Sequence, residues 1–352
     1  MTTPSALFDR RRSSTSVLSA RAQLTRRVKQ AGLLDRRPHY YSLKIVLTVL
    51  GFAAGWAAFA VIGASWWTLL VAAFLAVAYT QVAFLGHDAG HRQIFASRRA
   101  NYRLGVLLGN FGIGMSYGWW IDKHTRHHAH PNDLKGDPDI AVGALVFTGA
   151  QAQARGRAGR WLSRSQAYLF FPLLLLEGLN LHVSGLRALS GPAITSRRDR
   201  IAEVALFTLH VVGYLAALLL VLTPWQALAF LAVHQALFGL YMGCSFAPNH
   251  KGMPVLTGDE ELDYVRRQVL TSRNVHGNPV TDFALGGLNY QIEHHLFPNM
   301  PRPNLRRAHP LIRRFCAEQG IPFSETRLLT SYRLVLHHLR EVGRPLRTQG
   351  VH

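Results

Sequence analysis

Four runs of this chain are long, apolar and free of lysine and arginine: residues 45–62, 66–85, 201–222 and 225–247. Each approaches the ~20 residues that a helix needs to cross ~30 Å of hydrocarbon. One such run suits the core of a soluble protein, whereas four point to a bilayer as the solvent. Only Gly63, Ala64 and Ser65 separate the first pair, and only Thr223 and Pro224 the second. The expected fold is all-α, with four transmembrane helices arranged as two tight hairpins whose open ends share one side of the membrane.

Charge supports that arrangement. The chain is 49% hydrophobic yet carries a formal charge of +20, so the two properties must be segregated. Lysine and arginine number ten in residues 1–44, fifteen in 86–200, four in 248–298 and ten in 299–352, which is all 39. Neither hairpin tip carries one. The positive-inside rule then places every other segment, both termini included, in the cytoplasm of a multi-pass protein of the cell membrane. Trp66, Trp67 and Trp225 stand at the tips, where an aromatic belt on the far leaflet lies.

The expected organisation is a basic tail over 1–44, a main domain over 45–303 whose cytosolic helical cap is built from 86–200 and 248–303, and a second basic tail over 304–352. Residues 1–30 and the last dozen are expected to be poorly ordered. The first 44 residues are arginine-rich and contain no cleavable apolar core, so no secretory signal is expected. The two cysteines, Cys244 and Cys316, suit a reducing compartment. Anionic lipid headgroups explain the basic segments more simply than nucleic acid does. Two shorter apolar stretches are broken by glycine or polar residues: 104–118 by Gly105, Gly109, Gly112 and Gly114, and 168–183 by Pro172, Glu177, Asn180 and His182. Both are expected as re-entrant or interfacial helices.

Eight of the 18 histidines fall into four groups at the cytoplasmic ends of these spans. They are His87 and His91 (HDAGH), then His124, His127 and His128 (HTRHH), then His250 (PNHKG), then His294 and His295 (QIEHH). Neutral imidazole is a common ligand of iron, copper and zinc. Eight are too many for one four-coordinate zinc and suit two metals with open positions. Helical i, i+3 and i+4 spacing lets His87 and His91 aim at one point, as it does two of His124, His127 and His128. Adjacent positions diverge by about 100°, so His294 and His295 suit two different metals. His39, His309, His337, His338 and His352 are read as ordinary polar or surface residues. His130 and His276, near the groups, are candidate partners of the ligands.

HDAGH, HTRHH and QIEHH, in this order and separated by one membrane hairpin, resemble the three histidine boxes of the membrane fatty acid desaturase family. The similarity runs from about Trp66 to about Pro303. It includes Trp119-Trp120 before Lys123-His124, Asp137-Pro138-Asp139 after the second box, and Asp282 with Gly286-Gly287-Leu288 before the third. Gln291, where many members of the wider family have histidine, resembles the front-end and linoleoyl-CoA desaturase-like branch. The resemblance implies two non-haem irons held by His87, His91, His124, His127, His128, His250, His294 and His295, with Gln291 a weak ligand or one acting through water. It also implies O2 as co-substrate and an acyl chain, carried on CoA or on a lipid, as substrate. Eukaryotic members of that branch often carry a fused cytochrome b5 domain with an HPGG motif, whereas the His-Pro pairs here are His130-Pro131 and His309-Pro310. A separate electron donor is therefore expected: a ferredoxin, a flavoprotein reductase or cytochrome b5.

Acidic residues Asp88, Asp122, Asp137, Asp139, Asp282 and Glu293 are candidates to accept the second N–H of a ligand histidine. His210 and His234 lie inside spans and are open to two readings. They are axial ligands of a haem, or, as favoured, neutral imidazoles hydrogen-bonded in the bundle or lining an acyl tunnel. Asn180, His182 and His234 are candidate substrate contacts. The function expected is desaturation at a di-iron centre, with a hydroxylase or ketolase of the same superfamily as runner-up. A haem protein, or a transporter or other metal-binding membrane protein, ranks below both. Transporters usually place ligands near the bilayer midplane, whereas these groups lie at one end of the spans.

Overall fold

The computed structural model describes residues 14–348. They are mostly helical. α1 (Ser14–Gln30) precedes α2 (Pro38–Ile62) and α3 (Thr68–Gly90). α4 (Arg98–Val106) runs into a π-helical turn over Leu107–Gly112, and α5 (Tyr117–Ala129) follows. Short α6 (Gly149–Gln153) leads to α7 (Arg157–Leu174) and α8 (Glu177–Ala188), then to the long α9 (Arg197–Val221) and α10 (Pro224–His250). The remainder holds α11 (Tyr264–Leu270), β1 (Asn274–Val275), α12 (Pro279–Ala284), α13 (Gln291–Leu296) and α14 (Arg302–Glu318). β2 (Glu325–Thr326), α15 (Leu328–Val342) and α16 (Arg344–Thr348) complete the described chain.

By length and composition α2, α3, α9 and α10 can each cross a membrane, with mean hydropathies of 2.3, 2.0, 2.3 and 1.5. α7 and α8 meet at an 82° bend and together pass the same test, as a broken span or a re-entrant loop. The helices outrun the apolar runs seen in the sequence. Backbone bonding continues past the last apolar residue, from His91 N–H to His87 O and from Lys251 N–H to Ala247 O, each at 3.1 Å. His87 and His250 are thereby carried on helices.

The described residues form two units. One comprises 36–124 and 171–244. Its surface is apolar: Leu47, Leu50, Val212, Leu219 and Leu220 are each more than half exposed. Its interior holds Gln81, Asn110, Ser116, Glu203 and His234, all buried. Such an inversion suits a chain bathed in hydrocarbon, where polar groups must find one another inside. Together with the four long apolar helices it fits a membrane protein. Phe52 of α2 meets Tyr79 of α3 at 5.2 Å between ring centroids. α8 and α10 approach so closely at Gly178 and Gly239 that a Cβ on Gly239 would sit 2.6 Å from the Leu174 carbonyl oxygen. Residues 104–118 form the end of α4, the π turn and a loop through Gly114, whose φ of 63° and close His182 and His210 rings exclude a side chain.

The other unit comprises the described parts of 1–35, 125–170 and 245–352. Its core joins Leu24 and Val28 of α1 to Val265 and Val269 of α11, Ile292 and Leu296 of α13, and Ile312 and Phe315 of α14. Asn304 ties the chain after α1 to α14 by donating to the carbonyls of Leu33 at 2.8 Å and Asp35 at 3.2 Å. β1 pairs with β2 in parallel, Asn274 opposite Glu325. The expectation of poor order therefore fails for residues 20–30. Their arginines conceal a Leu24–Val28 stripe at i, i+4 spacing, which buries against α11 and α14. It fails likewise for 341–347, where Val342 and Leu346 pack with Val146 and Ala152. Residues 1–13 and 349–352 lie outside the described chain.

Gly239→Ala is expected to destabilise the protein by about 1–3 kcal/mol, because the backbone of the neighbouring segment cannot yield. Gly213→Ala, with nothing within 4 Å of the new methyl, is the control. Thermal midpoints in detergent decide it, and equal midpoints for the two variants would refute the close approach.

Candidate metal centre

α3 ends in a left-handed turn at Arg92 (φ 58°), closed by Gln93 N–H to Asp88 O and Arg92 N–H to Ala89 O, both at 3.0 Å. That termination leaves His87 in the last turn and His91 immediately after it. His124 comes from α5. Within the apolar-surfaced unit the ring centroids stand 4.6 Å apart for His87–His91, 4.9 Å for His91–His124 and 5.0 Å for His87–His124. His91 Nε2 and His124 Nε2 are 2.8 Å apart. Trp120 stacks on the His124 ring at 4.6 Å and 19°. Asp88 Oδ1 lies 3.5 Å from His87 Nδ1, the long limit of a hydrogen bond.

The second unit gathers the rest. His127, His250 and His295 are buried, and one ligating nitrogen of each lies within 4.8 Å of the other two. His127 Nε2 and His250 Nε2 are 3.3 Å apart. His128 Nε2 faces His294 Nε2 at 3.1 Å, and the His128 ring stacks on His295 at 4.2 Å. Gln291 Nε2 lies 2.8 Å from His250 Nε2 and its Oε1 accepts from Asn249 at 3.3 Å.

Tautomers follow from what holds the opposite nitrogen. His127 Nδ1 faces Asp137 Oδ2 at 3.0 Å, His250 Nδ1 faces the Thr271 carbonyl at 3.1 Å, and His295 Nδ1 faces Gln268 Oε1 at 2.9 Å. Gln268 is oriented by its own amide, which donates to the His128 carbonyl at 3.0 Å. Each acceptor takes the Nδ1 proton and leaves a lone pair on Nε2. The Nε2 atoms of His127 and His250 then face one another at 3.3 Å, an approach of two acceptors that a cation beside them would relieve, and the Gln291 amide also donates to His250 Nε2. Imidazole nitrogens backed by oxygen acceptors are the donor set of a transition-metal site. The residues present fit a metal.

Electrostatics at His127 are opposed. Burial works to lower its pKa, but the hydrogen bond and charge of Asp137, helped by Asp139, raise it above the ordinary value. Burial likewise works to raise the Asp137 carboxyl, and the bond to His127 carries it below its usual range. Asp137 is itself anchored by Asn132 N–H at 2.8 Å and Asp139 N–H at 2.8 Å.

The family model described as "Fatty acid desaturase" matches residues 64–327, which takes in every one of these histidines. The chain belongs to the fatty acid desaturase family. Among similar proteins, the acyl-lipid (9-3)-desaturase of Physcomitrium patens is 32% identical over 86% of this chain and 59% of that protein. The Delta(8)-fatty-acid desaturase of Helianthus annuus is 30% identical over 84% of this chain and 66% of that protein. A Delta(6)-fatty-acid desaturase of Caenorhabditis elegans is 27% identical over 93% and 76%. The chain thus spans less than two thirds of the first two relatives. The names agree with the front-end branch that Gln291 suggested.

Several residues singled out in the sequence stand elsewhere. The Asp282 carboxylate accepts from Asn289 at 2.9 Å and lies 3.7 Å from Arg306. Glu293 accepts from Asn274 at 2.7 Å and faces His309 Nδ1 at 3.0 Å rather than the His294 and His295 that follow it in sequence. Asn180 is exposed and donates to Glu177 at 3.2 Å. His182 and His210 bond the carbonyls of Gly114 and Phe111, each at 2.7 Å, and His234 bonds the Tyr214 hydroxyl at 2.8 Å. Sequence reasoning missed Gln268, Thr271 and Asn132. A backbone carbonyl has no residue signature, and a lone glutamine in α11 carries no motif.

His309 is more than a surface histidine. Its Nε2 faces Glu325 at 3.2 Å, so carboxylates clamp both ring nitrogens. Burial works to lower its pKa, but the bond and charge of Glu293, with Glu325 adding, hold it above the ordinary 6.5. With the folded value above the unfolded one, the proton's contribution to stability is complete below the unfolded value and fades as pH rises through the folded value. The stability difference between wild type and His309→Ala is expected to shrink from about pH 6 to about pH 9. Thermal midpoints measured across that range test it, and a pH-independent difference would show that the clamp holds no proton.

Proposed function

We propose that the chain is a membrane fatty acyl desaturase, placing a cis double bond in an acyl chain carried on CoA or on a lipid. The carrying observation is the convergence of the His127, His250 and His295 Nε2 atoms, each with Nδ1 held by an oxygen. The ligands would be His87, His91 and His124 in one unit, and His127, His128, His250, His294 and His295 in the other. Gln291 would act weakly or through water. α5 carries members of both groups, and the full set of imidazoles would hold two irons. With O2 and two electrons from a redox partner, that pair would supply the oxidant that removes hydrogen from two adjacent methylenes.

The protein's own part is placement and exclusion of water. His294 and His295, only 1% and 0% exposed, keep water from their part of the centre. Asp137, the Thr271 carbonyl and Gln268 hold Nδ1 of their imidazoles and so keep Nε2 aimed. α2–α3 and α9–α10 would form two hairpins, and the distribution of lysine and arginine favours a cytoplasmic face for the metal centre and for both ends of the chain. Basic segments beside the membrane would meet an anionic headgroup or CoA phosphate. His182, hydrogen-bonded beside Gly114, and His234 remain proposed neighbours of the acyl path.

His127→Ala and His294→Ala are expected to lose bound iron and all product while still inserting in the membrane, and His337→Ala to keep both. Gln268→Leu, which frees the His295 ring, should weaken metal binding about 10–100-fold. Lipid profiling by mass spectrometry in a host without desaturases tests the reaction. A product two hydrogens lighter is expected, and one a single oxygen heavier would replace desaturation with hydroxylation. Iron-free active protein, or full turnover in either histidine variant, would refute the ligand set.

A further inference from the structure

One carboxylate inside the apolar-surfaced unit has no part in the chemistry above. Glu203, on the second turn of α9, is fully buried. Every side-chain or amide group that bonds its oxygens donates: Ser116 Oγ at 2.8 Å and Asn110 Nδ2 at 3.0 Å to Oε2, and Gly118 N–H at 2.9 Å to Oε1. These three partners belong to the π turn, the loop after it and the start of α5.

Those groups account for all the exposed donors of the α5 N-terminus. Tyr117 N–H donates to Asn110 Oδ1 at 3.1 Å, Gly118 N–H to Glu203, and Trp119 N–H to Ser116 Oγ at 3.3 Å. Trp120 N–H then reaches Ser116 O at 3.1 Å and begins the helical ladder. Glu203 holds one amide directly and orients the two side chains that hold the others. α5 has no acidic residue of its own in the first turn, so the negative charge that suits a helix N-terminus is lent by α9. The approach needs glycine, since a Cβ on Gly118 would lie 2.7 Å from Glu203 Oε1. From the cap, Tyr117 stacks on Trp120 at 5.9 Å and Trp120 on His124 at 4.6 Å.

We propose that Glu203 is a positioning residue that sets where α5 begins, and through it the direction of His124, the first of the HTRHH histidines. A helix that starts one residue early or late turns its side chains by about 100°. The inference rests on the reading of that histidine as a metal ligand, but the cap itself does not.

The test uses the full chain in detergent as Glu203→Gln, Glu203→Ala and the double variant Asn110→Asp/Glu203→Gln. The double variant moves the negative charge to position 110, where it can accept from Tyr117 N–H and from the introduced amide. Three readouts are taken: hydrogen exchange of the Tyr117, Gly118 and Trp119 amides in metal-free protein, the absorption spectrum after Co(II) loading, and kcat with KM. Both single variants should exchange faster at those amides and shift the cobalt bands. Their kcat should fall about 10–100-fold, as a small misplacement of a catalytic group does. KM should change less than about two-fold, since uniform substrate binding is untouched. The double variant should recover the wild-type spectrum and most of kcat.

Wild-type spectrum and kcat in Glu203→Gln, unchanged exchange at the three amides, or a double variant as impaired as the single ones would each overturn the proposal. If the single variants fail to insert, recovery of the spectrum in the double variant still supports it. Wild-type protein that takes up no cobalt would instead sink the metal reading, and the exchange result would still decide the cap.

Discussion

A buried imidazole aims its lone pair in a fixed direction only when its other nitrogen is held, and that constraint organises both the site and the chain around it. Asp137 comes from the segment after α5, and Gln268 and the Thr271 carbonyl from α11 and its C-terminal cap, and each must arrive within hydrogen-bond distance of a different ring. Gln268 in turn depends on the His128 carbonyl, and Asp137 on Asn132. Ligand-bearing and ligand-holding segments are therefore interleaved. Displacing one of them leaves a neutral ring free to rotate, and a rotated ring no longer points at the metal.

The apolar-surfaced unit meets a related requirement with different residues. With leucine and valine outside, every polar group within must be satisfied by another protein group. The His182–Gly114, His210–Phe111 and His234–Tyr214 bonds do so in the body of the unit. Glu203 does so where α5 begins. Polar residues here act as fasteners between segments, a role that hydrophobic packing serves poorly when the surroundings are equally apolar.

Much of this was legible in the chain. The four spans announced themselves by length, and the histidine groups by spacing that only a helix makes useful. The α1 helix was hidden because arginine-rich composition outweighed a short Leu24–Val28 stripe, whose value appears only once α11 and α14 are present to receive it. Glu293 was read as a partner of the histidines beside it. On the short α13, however, neighbouring residues point in different directions, and it meets His309 and Asn274 instead. His309 looked ordinary because both of its carboxylates lie far from it along the chain.

Periodicity and composition by themselves determined that the chain is helical, that four helices suit a membrane, and that the imidazoles fall into helix-spaced groups. They could do so because hydrophobic length and i, i+4 spacing are local properties. Only the tertiary structure decided which nitrogen of each ring is free, what holds the other, and that a carboxylate on α9 caps α5. Those depend on hydrogen bonds between residues far apart in the chain, for which a one-dimensional pattern has no signal.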